Sequence, residues 1–86
     1  MLQISYHPKA WKEFLEIPKK FQHQILSRIE ELHILEHPLE HPRVLKLKGR
    51  STNDYRIRSG DYRIKFTFTK QRIVFITEIE HRQAGY

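Results

Sequence analysis

Apolar positions along the chain change period partway, and the change separates a helical part from an extended part. Leu2, Ile4 and Tyr6 alternate with polar neighbours, which predicts a short strand. Pro8 is suited to a first helical position, and Trp11, Phe14 and Leu15 follow as one apolar stripe. A helix over 8–17 is expected, ended by Ile17-Pro18, because the residue before proline is pushed out of the α region. Phe21, Ile25, Ile29 and Leu32 then recur on one face, predicting a second helix over 18–36, closed by Pro38 and Pro42. Beyond it the period becomes two. Val44 to Leu47 is a short apolar-alternating segment. Tyr55-Arg56-Ile57-Arg58 and Tyr62-Arg63-Ile64-Lys65-Phe66-Thr67-Phe68 alternate on either side of Ser59-Gly60-Asp61, which predicts a β-hairpin. Ile73-Val74-Phe75-Ile76 is continuously apolar, the mark of a strand inside the sheet.

These elements predict an α+β fold. An N-terminal strand and a two-helix hairpin pack on one face of a small, antiparallel-dominated twisted sheet. The expected core is Trp11, Phe14, Phe21, Ile25, Ile29, Leu32, Ile57, Ile64, Phe66 and Phe75. The chain has 86 residues, enough for one small domain over 1–86. It has no cysteine, which excludes disulfides, thiolate metal sites and cysteine nucleophiles. No apolar run approaches the ~18 residues of a membrane span, and MLQISYHPKAW lacks the features of a signal peptide. A cytoplasmic protein with no membrane partner is expected.

Charge sharpens this picture. The net charge is +6, and it is uneven: residues 1–41 sum to −1 and residues 42–86 to +7. A basic excess of this size suits a polyanionic partner. Side chains along a strand point to opposite faces in turn. With Leu45, Leu47, Tyr55, Ile57, Tyr62, Ile64, Phe66 and Phe68 toward the helices, Lys46, Lys48, Arg56, Arg58, Arg63 and Lys65 share the other face. Those strands place no acid there. Six cations together repel one another unless an anion is expected, so the pattern points to a phosphate-binding face.

KLKG (46–49), YRIR (55–58), SGDYRIKF (59–66) and EHRQAGY (80–86) together resemble the RelE/ParE toxin superfamily of type II toxin–antitoxin systems, and the element order matches over the whole chain. The resemblance implies a small basic toxin with a cognate acidic antitoxin, in a higher-order hetero-oligomer. The RelE branch cuts mRNA in the ribosomal A site, with the ribosome and mRNA as partners; the ParE branch inhibits DNA gyrase and lacks the nuclease residues. Carried over by motif, the catalytic positions are Arg56, Arg58, Arg63, His81, Arg82 and Tyr86, with Lys46, Lys48 and Lys65 as further RNA-binding residues. All six catalytic positions hold competent residues, which favours the RelE branch. Glu80 is a departure: many relatives have glycine there, and a bulkier acid beside His81 would reposition that residue or partly neutralise the site.

The chemistry implied is an endonuclease without cofactor or metal, because RNA supplies its own nucleophile, the ribose 2′-OH. Arginine is a poor base but holds a phosphate bidentately and stabilises its added charge. Histidine, with an unperturbed pKa of ~6.5, suits proton transfer, so His81 is the candidate acid or base. Arg82 would help hold the phosphate and Tyr86 would stack on a base. The alternatives are a ParE-like gyrase inhibitor and a non-catalytic nucleic-acid-binding or repressor module. Convergence of His81, Arg82 and Tyr86 over the arginine face separates the enzyme from both. His33, His37 and His41 recur every four residues, a metal-ligand spacing, but Pro38 interrupts the helix, so a polar helix end is the preferred reading.

Overall fold

A computed structural model describes residues 1–48 and 53–82. The elements are β1 (Gln3–Tyr6), α1 (Pro8–Leu15), α2 (Lys19–His33), a short 3-10 turn (Pro38–Glu40), β2 (Val44–Lys46), β3 (Asp54–Ser59), β4 (Tyr62–Phe68) and β5 (Ile73–His81). The sheet runs β1-β5-β4-β3-β2; β1 is parallel to β5 and every other pairing is antiparallel. The α+β architecture is therefore as expected, with the apolar Ile73–Ile76 run inside the sheet.

Both helices are shorter than 8–17 and 18–36, for local reasons. The His7 Nδ1 accepts from the Lys9 N–H at 3.0 Å and caps the start of α1. The Gln22 amide donates to the carbonyls of Phe14 (3.1 Å) and Ile17 (2.8 Å), satisfying the end of α1 before Pro18. At the end of α2 the Leu2 N–H donates to the His33 carbonyl at 2.8 Å. The chain entering β1 thus takes a carbonyl that another turn of helix would have needed.

The core between helices and sheet contains Leu2, Ala10, Phe14, Ile25, Ile29, Leu32, Ile57, Ile64, Phe66, Val74 and Ile76. Phe21 and Phe75 are half-buried rather than buried. Trp11 is 43% exposed, against expectation. In a helix of two turns Ala10 and Phe14, four apart, take the buried seam, and Trp11 lies one step round it. Its ring stacks on Phe14 (5.2 Å between centroids) and meets Tyr6 edge-on (5.1 Å).

The β3–β4 hairpin closes with two residues between the paired Ser59 and Tyr62. Gly60 there has φ +59, the left-handed conformation that such a turn demands at its first central position. The β4–β5 ladder is less regular. Phe66 pairs with Ile76 but Lys65 pairs with Glu78, so Thr77 is an extra residue, a β-bulge, whose hydroxyl donates to the Lys65 carbonyl at 3.3 Å. Ile79, past the bulge, donates its N–H to Glu13 Oε1 of α1 at 3.0 Å.

Candidate nucleic-acid interface

Arg56 and Arg58 on β3 alternate with the buried Tyr55, Ile57 and Ser59, and Arg63 and Lys65 on β4 with the buried Tyr62, Ile64 and Phe66. The register sets Arg58 opposite Arg63 and Arg56 opposite Lys65. These four cations therefore share the face away from the helices, as expected. Two like-charge pairs in direct register cost stability, so the arrangement suits an anion held between them.

The β2 contribution differs from expectation. Val44 pairs with Ile57, Leu45 with Arg56 and Lys46 with Tyr55. Val44 is buried, so Leu45 joins the arginine face, 55% exposed, and Lys46 stands on the opposite face at the sheet margin. The slip is one residue, and it inverts every side chain of the strand. Lys48 lies beyond β2, exposed.

The expectation that these strands place no acid on the face is corrected by Asp54, the first residue of β3, which lies in phase with Arg56 and Arg58 and accepts from the Thr67 hydroxyl at 2.8 Å; β5 adds two further acids. The Thr77 bulge changes the phase of β5, so that Val74, Ile76 and Ile79 are all buried. Glu78 and Glu80 consequently come up on the cationic face, opposite Lys65 and Arg63. Lys65 Nζ lies 2.6 Å from Glu80 Oε1 and 3.8 Å from Glu78 Oε2; an Arg63 guanidinium nitrogen lies 3.9 Å from Glu80 Oε2. Lys9 of α1 reaches Glu78 at 3.7 Å. The Lys65 ammonium, more than any other group, holds the Glu80 carboxyl below the usual carboxylate range. Across the sheet the face grades from neutralised at β5 and β4 to cationic at β3 and at Arg43, just before β2.

At the cationic end is a cavity of about 330 Å³ lined by Pro42, Arg43, Leu45, Arg56, Arg58 and Arg63. Sequence reasoning missed Arg43 and Leu45; the legible signal was that an apolar position either side of Lys46 permits two registers. A second concavity, between β1 and α2, offers Glu30 and His33 where the first offers four arginines.

The same bulge takes His81 off this face. His81 pairs with Tyr62, and their rings meet edge-on at 5.0 Å on the helix side of the sheet. Arg82 donates its backbone N–H to the Asp61 carbonyl (2.7 Å) and turns its guanidinium to the Asp61 carboxylate (3.5 Å), beside the β3–β4 turn. Tyr86 lies outside the described residues. The structure thus brings together Arg56, Arg58, Arg63 and Lys65, and sets His81 and Arg82 elsewhere.

The histidines at 33, 37 and 41 have separate structural partners. His33 Nδ1 lies 2.6 Å from the Leu2 carbonyl, and His37 Nδ1 caps the 3-10 turn by accepting from the Leu39 N–H. The buried His41 accepts from the Arg43 N–H at Nδ1 (3.0 Å), which leaves Nε2 to donate to Glu31 at 2.7 Å. Among the described residues no three side chains are grouped to hold a metal ion, and no helix is long and apolar enough to cross a membrane.

Residues 4–86 match the family described as the ParE toxin of the type II toxin–antitoxin system parDE. A search of curated protein sequences found no significant match. Among solved structures, the chain is similar to RelE in the archaeal RelE–RelB complex of Pyrococcus horikoshii, with 26% identity, 94% of each chain covered and a TM-score of 0.77. It shares its fold with the isolated Escherichia coli RelE toxin (22% identity, 94% of this chain and 84% of that one, TM-score 0.73). It does so too with the YoeB dimer of Staphylococcus aureus (19% identity, 93% and 95%, TM-score 0.73).

Proposed function

Because the chain belongs to the RelE/ParE superfamily of type II toxin–antitoxin toxins, we propose that it is a ribosome-dependent mRNA endonuclease whose arginine cleft seats the scissile phosphate. The observation that carries this reading is the convergence of Arg43, Arg56, Arg58 and Arg63 on one cavity. In the reaction the ribose 2′-oxygen attacks the adjacent phosphorus and loses its proton to a base. The bond from phosphorus to the 5′-oxygen breaks, and that oxygen takes up a proton. The products are a 2′,3′-cyclic phosphate and a free 5′-hydroxyl. Charge grows on the non-bridging oxygens as the attack proceeds. Arginines fixed on paired strands meet that charge without reorganising, where its stabilisation is worth most. The cleft's own part is charge stabilisation: its lining holds four arginines, Pro42 and Leu45, while His81, expected to transfer the proton, packs on Tyr62 and Arg82 on Asp61; base stacking is assigned to Tyr86. A cognate acidic antitoxin is the partner, as RelB is of the Pyrococcus RelE, and the toxin acts in the cytoplasm.

A second reading is favoured by one observation. His81 faces Tyr62 and not the arginines, as expected of a ParE-type toxin that inhibits gyrase without cleaving RNA. Induction in cells, with mRNA 5′ ends mapped at translated codons, tests the first reading. New 5′ ends within codons support it. Intact mRNA together with loss of gyrase supercoiling overturns it in favour of the second.

A further inference from the structure

Leu45 is exposed, although burial alone would have turned it and Leu47 toward the helices. A single exposed leucine is ordinary, but this one is the register partner of Arg56 and, with Pro42, forms the apolar part of a cavity otherwise lined by four arginines. The segment that carries it is held firmly. The His41 ring accepts the Arg43 N–H while bonded to Glu31 of α2, the Arg43 carbonyl accepts from the Arg58 N–H at 3.4 Å, and the Val44 N–H donates to the His41 carbonyl at 3.2 Å. Arg43 and Leu45 are therefore presented from a fixed backbone.

A ligand matching this lining carries negative charge and an apolar face in one small unit. Inorganic anions would use only the arginines. A nucleotide uses both. Arg56 and Arg58 lie two residues apart on one face of β3, roughly 6.8 Å, which is comparable to the separation of consecutive phosphates in an extended single strand. We infer that Pro42, Arg43 and Leu45 form a nucleotide subsite beside the arginine pair, with the phosphate on Arg43 and Arg58 and the base or ribose resting on Leu45 and Pro42. This rests on the RNA reading above and deepens it by assigning residues that set how a nucleotide lies. The Leu45 contact is apolar and so independent of salt, whereas the Arg43 contact releases counterions and is not.

The test measures binding of the full chain to a short single-stranded RNA by fluorescence anisotropy over a salt series. Tripolyphosphate and an acidic peptide containing leucine serve as competitors. Leu45→Ala should weaken RNA binding about fivefold to tenfold at every salt concentration, leave the salt slope unchanged and leave competition by tripolyphosphate unchanged. Leu45→Met should bind as the parent does. Arg43→Gln should weaken both ligands and flatten the slope by about 0.7. If Leu45→Ala binds RNA as tightly as the parent, the subsite is wrong while the arginine reading stands. If the peptide outcompetes RNA and only its binding depends on Leu45, the cleft is a peptide site and the inference falls. If the double variant Arg56→Ala/Arg58→Ala still binds RNA at parental strength, the RNA reading itself fails.

Discussion

Lys65 and Glu80 meet at 2.6 Å across β4 and β5, and the contact takes one cation out of the face that four arginines define. Glu80 also lies opposite Arg63, so a single carboxylate moderates two basic side chains. Glu80→Gln should free both toward a bound anion. The expected result is several-fold tighter binding of single-stranded RNA at low salt, with a salt slope steeper by up to about 0.7 for each cation engaged. Folding stability should fall by about 1 kcal/mol with the lost charge-assisted bond. A salt series on parent and variant, with urea denaturation alongside, checks both.

Arg58 faces Arg63 in direct register. Arg58→Thr removes the repulsion and adds a residue that favours strands, so it should stabilise the fold by about 0.2–1 kcal/mol. It should also weaken RNA binding and toxicity. A shift of the denaturation midpoint to lower urea would show that the pair carries no repulsion.

Arg63→Ala should reduce cleavage about a hundredfold, the usual cost of one charge-stabilising group in the transition state. Its side chain is only 14% exposed, so this variant should lose more stability than Arg58→Ala, whose site is open to solvent. Single-turnover cleavage on programmed ribosomes, read beside thermal denaturation, separates the two effects.

Four carboxyls are held below their ordinary range: Glu31 by His41 and then Arg28, Glu36 by Arg72 and the N-terminal ammonium, Glu40 by the backbone N–H groups of His37 and Glu36, and Glu80 by Lys65. In each the folded pKa lies below the unfolded one. Their contribution is therefore complete above the ordinary carboxylate value of ~4.3 and is lost as pH falls through the lower folded values. The denaturation midpoint should hold from neutrality to about pH 5 and drop below about pH 4. Glu31→Gln should make that drop shallower. An unchanged acid limb in this variant would remove Glu31 from the account.

Phe66 is 1% exposed and stacks on Tyr55 with centroids 5.6 Å apart. Phe66→Ala should cost about 3–5 kcal/mol, through lost burial and the cavity left behind. Chemical denaturation of the purified chain measures it.

The hairpin and its charges were legible in the sequence because two signals agree there: a strict period of two, and a Ser59-Gly60-Asp61 turn that fixes the register. The β2 phase was not legible. Val44, Leu45 and Leu47 give either register an apolar side chain to bury, and contacts with Ile57 decide the outcome. Trp11 misled because it falls with Phe14 and Leu15 on one apolar stripe, whereas the short helix buries Ala10 and Phe14 and leaves Trp11 and Leu15 outside the seam. The bulge was the costliest omission. Simple alternation after Ile76 places Glu78 and Glu80 toward the helices and His81 among the arginines; Thr77 reverses all three. The hint was Ile79, an apolar residue out of phase with Val74 and Ile76.

The parallel pairing of β1 with β5 has a consequence for the order of assembly. Gln3 pairs with Ile73, 70 residues further along the chain, while the arginine hairpin closes through two residues. Contacts this distant form late, because the intervening chain must be ordered first, whereas a tight hairpin closes early. During synthesis the strand that emerges first must wait for one made much later. On that order the newly made chain would carry its cations on a closed hairpin, with its apolar sheet positions uncovered, until β5 is inserted between β1 and β4. A binding partner made at the same time would meet the toxin in that interval, before its fold is closed.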